Sequence, residues 1–160
     1  MMSERIYLAS PHMGGSERRY VDLAFDTNWI APLGANVTGF EQDLRQYLGA
    51  GYVTALSAGT AALHLAAMAA GFQAGDEVIV SSITFAASSN CVLYCGATPV
   101  FADIRPDTYN INPEEIRKLI TPKTKGIVAV DFTGQAVEHD EIQKICEENH
   151  LIFCLLYTST

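Results

Sequence analysis

The feature that most constrains this chain is a regular alternation of short apolar runs with segments of helical spacing. Five such runs occur, at residues 52–57, 76–82, 98–104, 125–132 and 150–157. Nearly continuous apolar runs are typical of strands that are buried on both faces, and their alternation with helices is typical of a parallel sheet. We therefore predict an α/β fold with three layers, in which a mostly parallel sheet carries helices on both faces.

Segments of helical spacing fill the intervals between the runs and also precede the first run. The predicted helices span about residues 16–25, 38–48, 59–70, 85–95, 113–120 and 139–149. Ser16 is a candidate N-cap, Gly49 a candidate stop, and Pro113 suits the first turn of a helix. We expect residues 1–40 to form an N-terminal arm, helix and loop, and residues 41–153 to form the sheet domain.

The composition excludes several classes of function. The chain has 160 residues, with 18 acidic against 10 basic side chains and a formal net charge of −8. Without clustered Lys or Arg it lacks the charge that binds a nucleic-acid backbone. No stretch has the apolar length of a membrane span, and the first residues lack the pattern of a signal peptide. We expect a soluble, cytoplasmic protein that binds neither nucleic acid nor membrane.

The cysteines and histidines are spaced unlike the ligands of a metal site. The four cysteines (Cys91, Cys95, Cys146 and Cys154) form no C-x-x-C pair, and the four histidines are scattered. This spacing favours reduced thiols in an intracellular protein over a disulfide framework or a zinc site. We predict no metal.

The segment "SAGTAALHLA" (residues 57–66) joins the first predicted strand to a helix. Gly59 allows close approach to the backbone, Thr60 offers a hydroxyl, and Ala61 leaves the first helical turn unobstructed. Because helix N-termini at the carboxyl edge of a sheet attract anions, this turn suits a phosphate group. The same residues are also typical of a turn that does no more than start a helix. A dinucleotide site is disfavoured because the chain contains no G-x-G-x-x-G.

Phe85 follows the next predicted strand, in "SSITFAASSN" (residues 81–90). Its ring would lie at the same edge of the sheet as the turn at Gly59. A flat heteroaromatic ligand that bears a phosphate would use both features, whereas a phenylalanine at this position could equally belong to the core.

The blocks "SAGTAALHLA", "GDEVIVSSITFAASSN", "GATPVFADIRPDTYNI" and "ITPKTKGIVAV" resemble, in order and spacing, those of the DegT/DnrJ/EryC1/StrS sugar aminotransferases. The resemblance extends from about residue 6 to residue 152. It implies the N-terminal part of the large domain of a fold type I enzyme that uses pyridoxal 5′-phosphate. "SPHMGG" and "TNWIAPLG" further resemble the subgroup that acts on UDP-linked 4-keto-6-deoxy-hexosamines, as in bacillosamine synthesis.

The resemblance implies roles for particular residues. Thr60 and Ala61 match the positions that bind the cofactor phosphate, Gly59 shapes the turn, and Phe85 matches the aromatic residue that stacks on the pyridine ring. Trp29 is a weaker candidate for contact with the nucleotide sugar. The family often has histidine and tyrosine where this chain has Asp131 and Thr133, so the roles of these two residues are left open.

The resemblance also implies a reaction and an assembly. An amino group, typically from glutamate, passes to a nucleotide-linked keto sugar for the synthesis of a surface polysaccharide or glycan, and two subunits complete the sites of a homodimer. The family's Schiff-base lysine has no match among Lys118, Lys123, Lys125 and Lys144, so no catalytic residue is assigned. Residues 154–160, "CLLYTST", resemble a translated sequencing adapter, and we expect them to be a non-native tail on a truncated, inactive fragment.

Two other functions remain open on the sequence. A sugar 3-dehydratase of the same family has histidine in place of the lysine, at a position beyond this chain. A nucleotide-binding or regulatory α/β module without catalysis would share the fold and lack both residues.

Overall fold

The computed structural model describes residues 11–157. The elements in chain order are α1 (Glu17–Asp26), α2 (Ala35–Leu48), α3 (Gly59–Ala69), β1 (Glu77–Ser81), α4 (Ala87–Tyr94), β2 (Thr98–Ala102), α5 (Pro113–Leu119), β3 (Thr124–Asp131), a 3-10 turn (Phe132–Gly134), α6 (His139–Asn149) and β4 (Ile152–Tyr157). Residues 1–10 of the predicted arm and residues 158–160 of the predicted tail lie outside the described residues.

The contacts divide the chain into two compact units, with the boundary between Ala55 and Leu56. The division expected from the sequence, between residues 40 and 41, stays a prediction. In the described part of the first unit, α1 and α2 flank a loop that carries Trp29. Gly49 ends α2 in a left-handed conformation, as its position in the sequence predicts.

The second unit contains one sheet, with the strand order β2-β1-β3-β4. All three pairings are parallel, and Val128 of β3 lies opposite Val80 on one side and Cys154 on the other. Each connection between paired strands contains a helix. The prediction of a parallel α/β fold is therefore confirmed, and the last predicted strand forms as β4.

Alternating side chains of the strands divide the core between the two faces of the sheet. Val78, Val80 and Val128 pack against residues of α3 and α4. Ile79 and Ile127 face the opposite side, where they pack against α5 and α6. Because successive strand residues point to opposite faces, continuous apolar runs need helices on both sides. The three-layer prediction is confirmed.

The prediction of a strand at residues 52–57 is wrong, because the described chain has no strand there. This segment pairs with no strand in the described chain, and most of its side chains are exposed, Tyr52 at 97%. The backbone N–H of Ala55 instead donates to a carboxylate oxygen of Glu41 at 2.8 Å. An apolar run becomes a strand where a neighbour completes its ladder of hydrogen bonds, and no neighbouring strand is in place here.

No helix within residues 11–157 combines the length and the apolar character that crossing a bilayer requires.

Candidate functional site

The first turn of α3 lies at the carboxyl edge of the sheet. The eleven residues of α3 are followed closely by β1, so the helix runs antiparallel to the strand. Phe72, just after the C-terminal end of α3, packs against Gly126 near the start of β3: a Cβ added to Gly126 would lie 2.8 Å from the Phe72 ring. The C-terminal end of α3 is therefore near the beginning of β3. The beginning of α3 therefore lies near the ends of the strands, where α/β folds bind ligands.

Backbone N–H groups at this end of α3 have no protein acceptor. The N-cap residue, Ala58, is extended and makes no side-chain cap, and the first bond of the helix runs from the N–H of Ala62 to the Ala58 carbonyl at 3.0 Å. Within the described chain, the N–H groups of Gly59, Thr60 and Ala61 find no acceptor. Three donors at the positive end of a helix suit an anion.

The surroundings of these donors are open. A Cβ on Gly59 would meet nothing within 4 Å, and the Thr60 side chain is exposed with no hydrogen bond to the described residues. Leu63 and Ala67, one and two turns further on, anchor the helix in the core. The turn is thus held firmly by the helix while its donors remain accessible to a ligand.

Phe85 lies at the same edge, in the loop between β1 and α4. This loop is fixed by short-range bonds: the Ser81 hydroxyl donates to the Ile83 carbonyl at 3.0 Å, and the hydroxyls of Thr84 and Ser88 lie 2.9 Å apart. The Phe85 side chain is nevertheless 72% exposed. An apolar ring held out of the core by an ordered loop is suited to stacking on a flat ligand.

Asp131 is the last residue of β3, and Thr133 belongs to the loop that follows it. One carboxylate oxygen of Asp131 accepts from the N–H of Val137 at 3.0 Å, and the Thr133 hydroxyl donates to the Phe132 carbonyl at 2.7 Å. The buried amide of Asn110 also binds this loop, at Phe132, Gln135 and Ala136. No local signal distinguishes Asn110 in the sequence, because it lies in the polar segment "DTYNINP" (residues 107–113) with a second asparagine at position 112.

Trp29 belongs to the first unit. Its indole N–H donates to the Leu33 carbonyl at 2.6 Å, and its side chain is 60% exposed. It borders an open apolar cavity of about 730 Å³ whose lining includes Leu23, Ile30 and Val37. A ligand role for Trp29 stays a prediction.

Four other titratable side chains are paired, buried or packed against a ring. The Lys118 ammonium donates to Glu115 at 2.6 Å, and this bond raises its pKa, which keeps the amine protonated. Burial raises the pKa of the Cys91 and Cys146 thiols to about 11. The His64 ring packs edge-on against Tyr94, with 5.2 Å between the ring centroids. Among residues 11–157, no three His, Cys, Asp or Glu side chains cluster as metal ligands.

Comparison with known proteins identifies the family that this geometry fits. The sequence profile of the DegT/DnrJ/EryC1/StrS aminotransferase family matches residues 11–155. The chain is 43% identical to a GDP-perosamine synthase of Caulobacter vibrioides over 148 residues, which are 92% of this chain and 40% of that protein.

Solved structures show the same fold. The chain is similar to an aminotransferase from Psychrobacter cryohalolentis, with a TM-score of 0.86 and 36% identity over 91% of this chain and 37% of that one. It is also similar to NtdA of Bacillus subtilis, whose structure holds the cofactor PMP, with a TM-score of 0.78 and 33% identity over 87% of this chain and 33% of that one. The chain therefore spans about two fifths or less of the length of these relatives.

Proposed function

Because the chain belongs to the DegT/DnrJ/EryC1/StrS aminotransferase family, we propose that residues 56–157 bind the phosphate and the ring of pyridoxal 5′-phosphate. This is the cofactor of the family. The observation that carries the proposal is the set of unpaired N–H groups at the start of α3, located at the same sheet edge as the exposed ring of Phe85.

The residues present fit this cofactor. The N–H groups of Gly59, Thr60 and Ala61, with the Thr60 hydroxyl, would hold the phosphate, since a helix N-terminus stabilises a phosphate dianion. Phe85 would stack on the pyridine ring and exclude water from that face. When bound, the cofactor supplies an electron sink and carries the amino group.

We propose further that the whole protein transfers an amino group, with glutamate as donor, to a nucleotide-linked keto sugar. The similarity to a GDP-perosamine synthase supports a sugar substrate and a role in polysaccharide or glycan synthesis. A UDP-linked substrate of the bacillosamine type, a contact of Trp29 with the nucleotide sugar, a homodimer and a cytoplasmic location are parts of the same proposal.

The polypeptide of 160 residues is proposed to bind cofactor without transaminating. Its four lysines lie on or next to α5, β3 and α6, and none belongs to the phosphate turn or to the Phe85 loop; they are Lys118, Lys123, Lys125 and Lys144. Transamination needs a lysine that both holds the cofactor and moves protons. The expected activity of this chain with glutamate and a nucleotide-linked keto sugar is therefore no higher than that of free cofactor.

The test is a titration of the purified chain with pyridoxamine 5′-phosphate, which needs no covalent bond to lysine. We expect saturable binding that is lost with pyridoxamine, which lacks the phosphate. Thr60→Val should weaken binding by about tenfold through loss of a bond to a charged group. Phe85→Ala should weaken it by about two- to twelvefold through loss of stacking.

Two matched variants serve as controls. Thr98→Val changes an exposed threonine at the start of β2, at the opposite edge of the sheet, and Phe40→Ala removes an exposed ring from α2. Both should bind pyridoxamine 5′-phosphate like the unaltered chain. Equal affinity for pyridoxamine and its phosphate ester would reject the phosphate site, and the absence of binding would reject the proposed function of this chain.

A further inference from the structure

The loop at residues 132–136 lies next to the Phe85 loop. It leaves the carboxyl end of β3, and the Phe85 loop leaves the carboxyl end of β1. These two strands are direct neighbours with a lateral spacing of about 5 Å. Val80 lies opposite Val128, and β3 continues to Asp131, about two residues beyond the end of β1 at Ser81. The two loops therefore leave adjacent strands at the same edge of the sheet.

The side chain of Asn110 makes hydrogen bonds to the backbone of this loop. Its side chain is buried, with 2% exposure, and its Nδ2 donates to the carbonyls of Gln135 at 2.9 Å and Ala136 at 2.8 Å. Its Oδ1 accepts from the N–H of Phe132 at 3.1 Å. The amide thus makes hydrogen bonds to three backbone groups of one loop. These bonds offset the free-energy cost of burying the polar side chain.

The same amide connects two strands that are not neighbours. Asn110 belongs to the segment after β2, where Ile104 and Ile111 form an antiparallel bridge. The loop that it binds follows β3, and β1 lies between β2 and β3 in the sheet. The connection therefore spans the width of β1, the strand whose following loop presents Phe85. Ile111 and Val137 place this connection on the face covered by α5 and α6.

The backbone on both sides of this connection is strained. Thr133 has a φ of 53° and Tyr109 a φ of 60°, both in the left-handed region. A β-branched or bulky aromatic residue rarely adopts this conformation without surrounding contacts that impose it. The bonds from Asn110 and the bond between Asp131 and the Val137 N–H are contacts of this kind.

We propose that Asn110 is a positioning residue for the cofactor site, which holds the loop at residues 132–136 in the strained conformation that borders the ligand beside Phe85. The inference rests on the proposed binding of pyridoxal phosphate by this chain. Asn110 itself touches no ligand. It acts through the loop, because a loop already ordered before binding loses less conformational entropy when the ligand arrives.

The first test is Asn110→Asp in the 160-residue chain. The change keeps the shape of the side chain and the acceptor for Phe132, but replaces the donor to the Gln135 and Ala136 carbonyls with an acceptor. We expect affinity for pyridoxamine 5′-phosphate to fall by about tenfold, because the two buried hydrogen bonds to the Gln135 and Ala136 carbonyls are lost. The amide hydrogens of the loop should exchange faster, while those of β1 and β3 keep their protection.

A matched control is Asn149→Asp. Asn149 also donates a side-chain N–H to a backbone carbonyl, that of Ile145 at 2.8 Å, but it ends α6 at the opposite edge of the sheet. This variant should bind pyridoxamine 5′-phosphate like the unaltered chain.

Rescue by glycine separates positioning from a general structural role. Glycine adopts the left-handed region without strain, so Thr133→Gly should lower the cost of the loop conformation. Added to Asn110→Asp, it should recover a measurable part of the lost affinity, and alone it should raise the resistance of the chain to urea. If Asn110→Asp does not fold, the urea resistance of Thr133→Gly alone is the test. A lower resistance than that of the unaltered chain overturns the backbone strain on which the inference depends. A higher resistance supports it.

The remaining outcomes distinguish the two proposals. If the unaltered chain binds pyridoxamine 5′-phosphate and Asn110→Asp binds it equally well, the positioning role is overturned and the cofactor site stands. If Asn110→Asp loses affinity and Thr133→Gly restores none, Asn110 supports the fold rather than the site. If the unaltered chain does not bind, the proposed function fails and the inference fails with it.

Discussion

Phe85 and Asn110 occupy environments that are unusual for their side chains. Phe85 is apolar and 72% exposed, whereas Asn110 is polar and 2% exposed. Each departs from the usual distribution of residue types between core and surface. The loop of Phe85 follows β1 and the segment of Asn110 follows β2, which are neighbouring strands, and the cofactor site is proposed at this edge of the sheet. Because the described chain exposes several other large apolar side chains, the position of Phe85 at this edge, rather than its exposure alone, supports a role in binding.

Gly34 is the residue on which the position of Trp29 depends. Its φ is 157° with ψ of −177°, a region populated by glycine, and an added Cβ would collide with the Trp29 indole ring. Gly34→Ala should therefore displace the ring and lower the free energy of unfolding of the first unit by about 1–3 kcal/mol. The fluorescence of Trp29, the single tryptophan of the chain, measures both effects during denaturation in urea.

Gly39→Ala provides the control for this prediction. Gly39 lies within α2, where an added Cβ would meet nothing within 4 Å. Alanine there should raise the free energy of unfolding by up to about 1 kcal/mol through its higher helix propensity. Identical Trp29 spectra and midpoints for Gly34→Ala and the unaltered chain would contradict the packing described here.

The helices differ in how their first turns are satisfied. The N-cap of α5, Asn112, accepts from the N–H of Glu114 at 3.0 Å, and Pro113 occupies the first position. α3 begins after Ala58 with no side-chain cap, and α1, α2, α4 and α6 likewise lack one. Capping stabilises a helix by about 1 kcal/mol. A helix that lacks a cap at the carboxyl edge of a sheet keeps its donors available for a ligand.

Ala58→Asp should raise the stability of the second unit and weaken its binding of pyridoxamine 5′-phosphate. Ala58 has the extended backbone of an N-cap, so an aspartate there can accept from the free N–H groups and interact with the helix dipole. We expect the free energy of unfolding of the second unit to rise by about 1 kcal/mol. Binding of pyridoxamine 5′-phosphate should weaken by more than tenfold, because the carboxylate occupies the donors and repels the phosphate.

Ala69→Asp adds the same charge at the other end of α3 and is the matched control. It should leave the affinity for pyridoxamine 5′-phosphate unchanged and lower stability slightly, since a negative charge at a helix C-terminus opposes the dipole. Tight binding by Ala58→Asp would show that the phosphate does not bind at the start of α3.

At the scale of the whole molecule, two units of different character make up the described chain. The core consists of two apolar clusters, one on each face of the four-stranded sheet, and both belong to the second unit. The helices of the first unit bury no residue, and several large apolar side chains there are exposed, including Tyr47 at 86%. The second unit therefore carries the stability of the fold in this chain.

The buried thiols of the second unit predict how that stability depends on pH. Burial raises the pKa of Cys91 and Cys146 from the usual 9.0 to about 11, because the folded core disfavours the thiolate. Between pH 9 and 11 the unfolded chain therefore holds fewer protons than the folded one. The free energy of unfolding should be maintained below pH 9 and should fall as the pH rises towards 11.

Urea denaturation at pH 8, 9 and 10 measures this dependence. The double variant Cys91→Ala/Cys146→Ala, which lacks both thiols, should show a shallower decline than the unaltered chain. Equal slopes in the two proteins would mean that other groups govern the dependence on pH.

The periodicity of the sequence determined most of the architecture. It predicted all six described helices, the strands β1 to β4 and a parallel sheet with helices on both faces, because apolar spacing indicates which faces of an element are buried. The blocks around Gly59 and Phe85 also indicated the family, since their order and spacing do not depend on tertiary contacts.

The tertiary structure alone decided the features that depend on partners distant in the chain. It showed that residues 52–57 form no strand in the described chain, because pairing needs a neighbour that local spacing cannot supply. It also brought Asn110 to residues 132–136, more than twenty positions away, where a buried amide meets the backbone of a strained loop. Hydrogen bonds of this kind depend on where the sheet places the ends of its strands, and that placement is fixed by strand order rather than by the sequence next to Asn110.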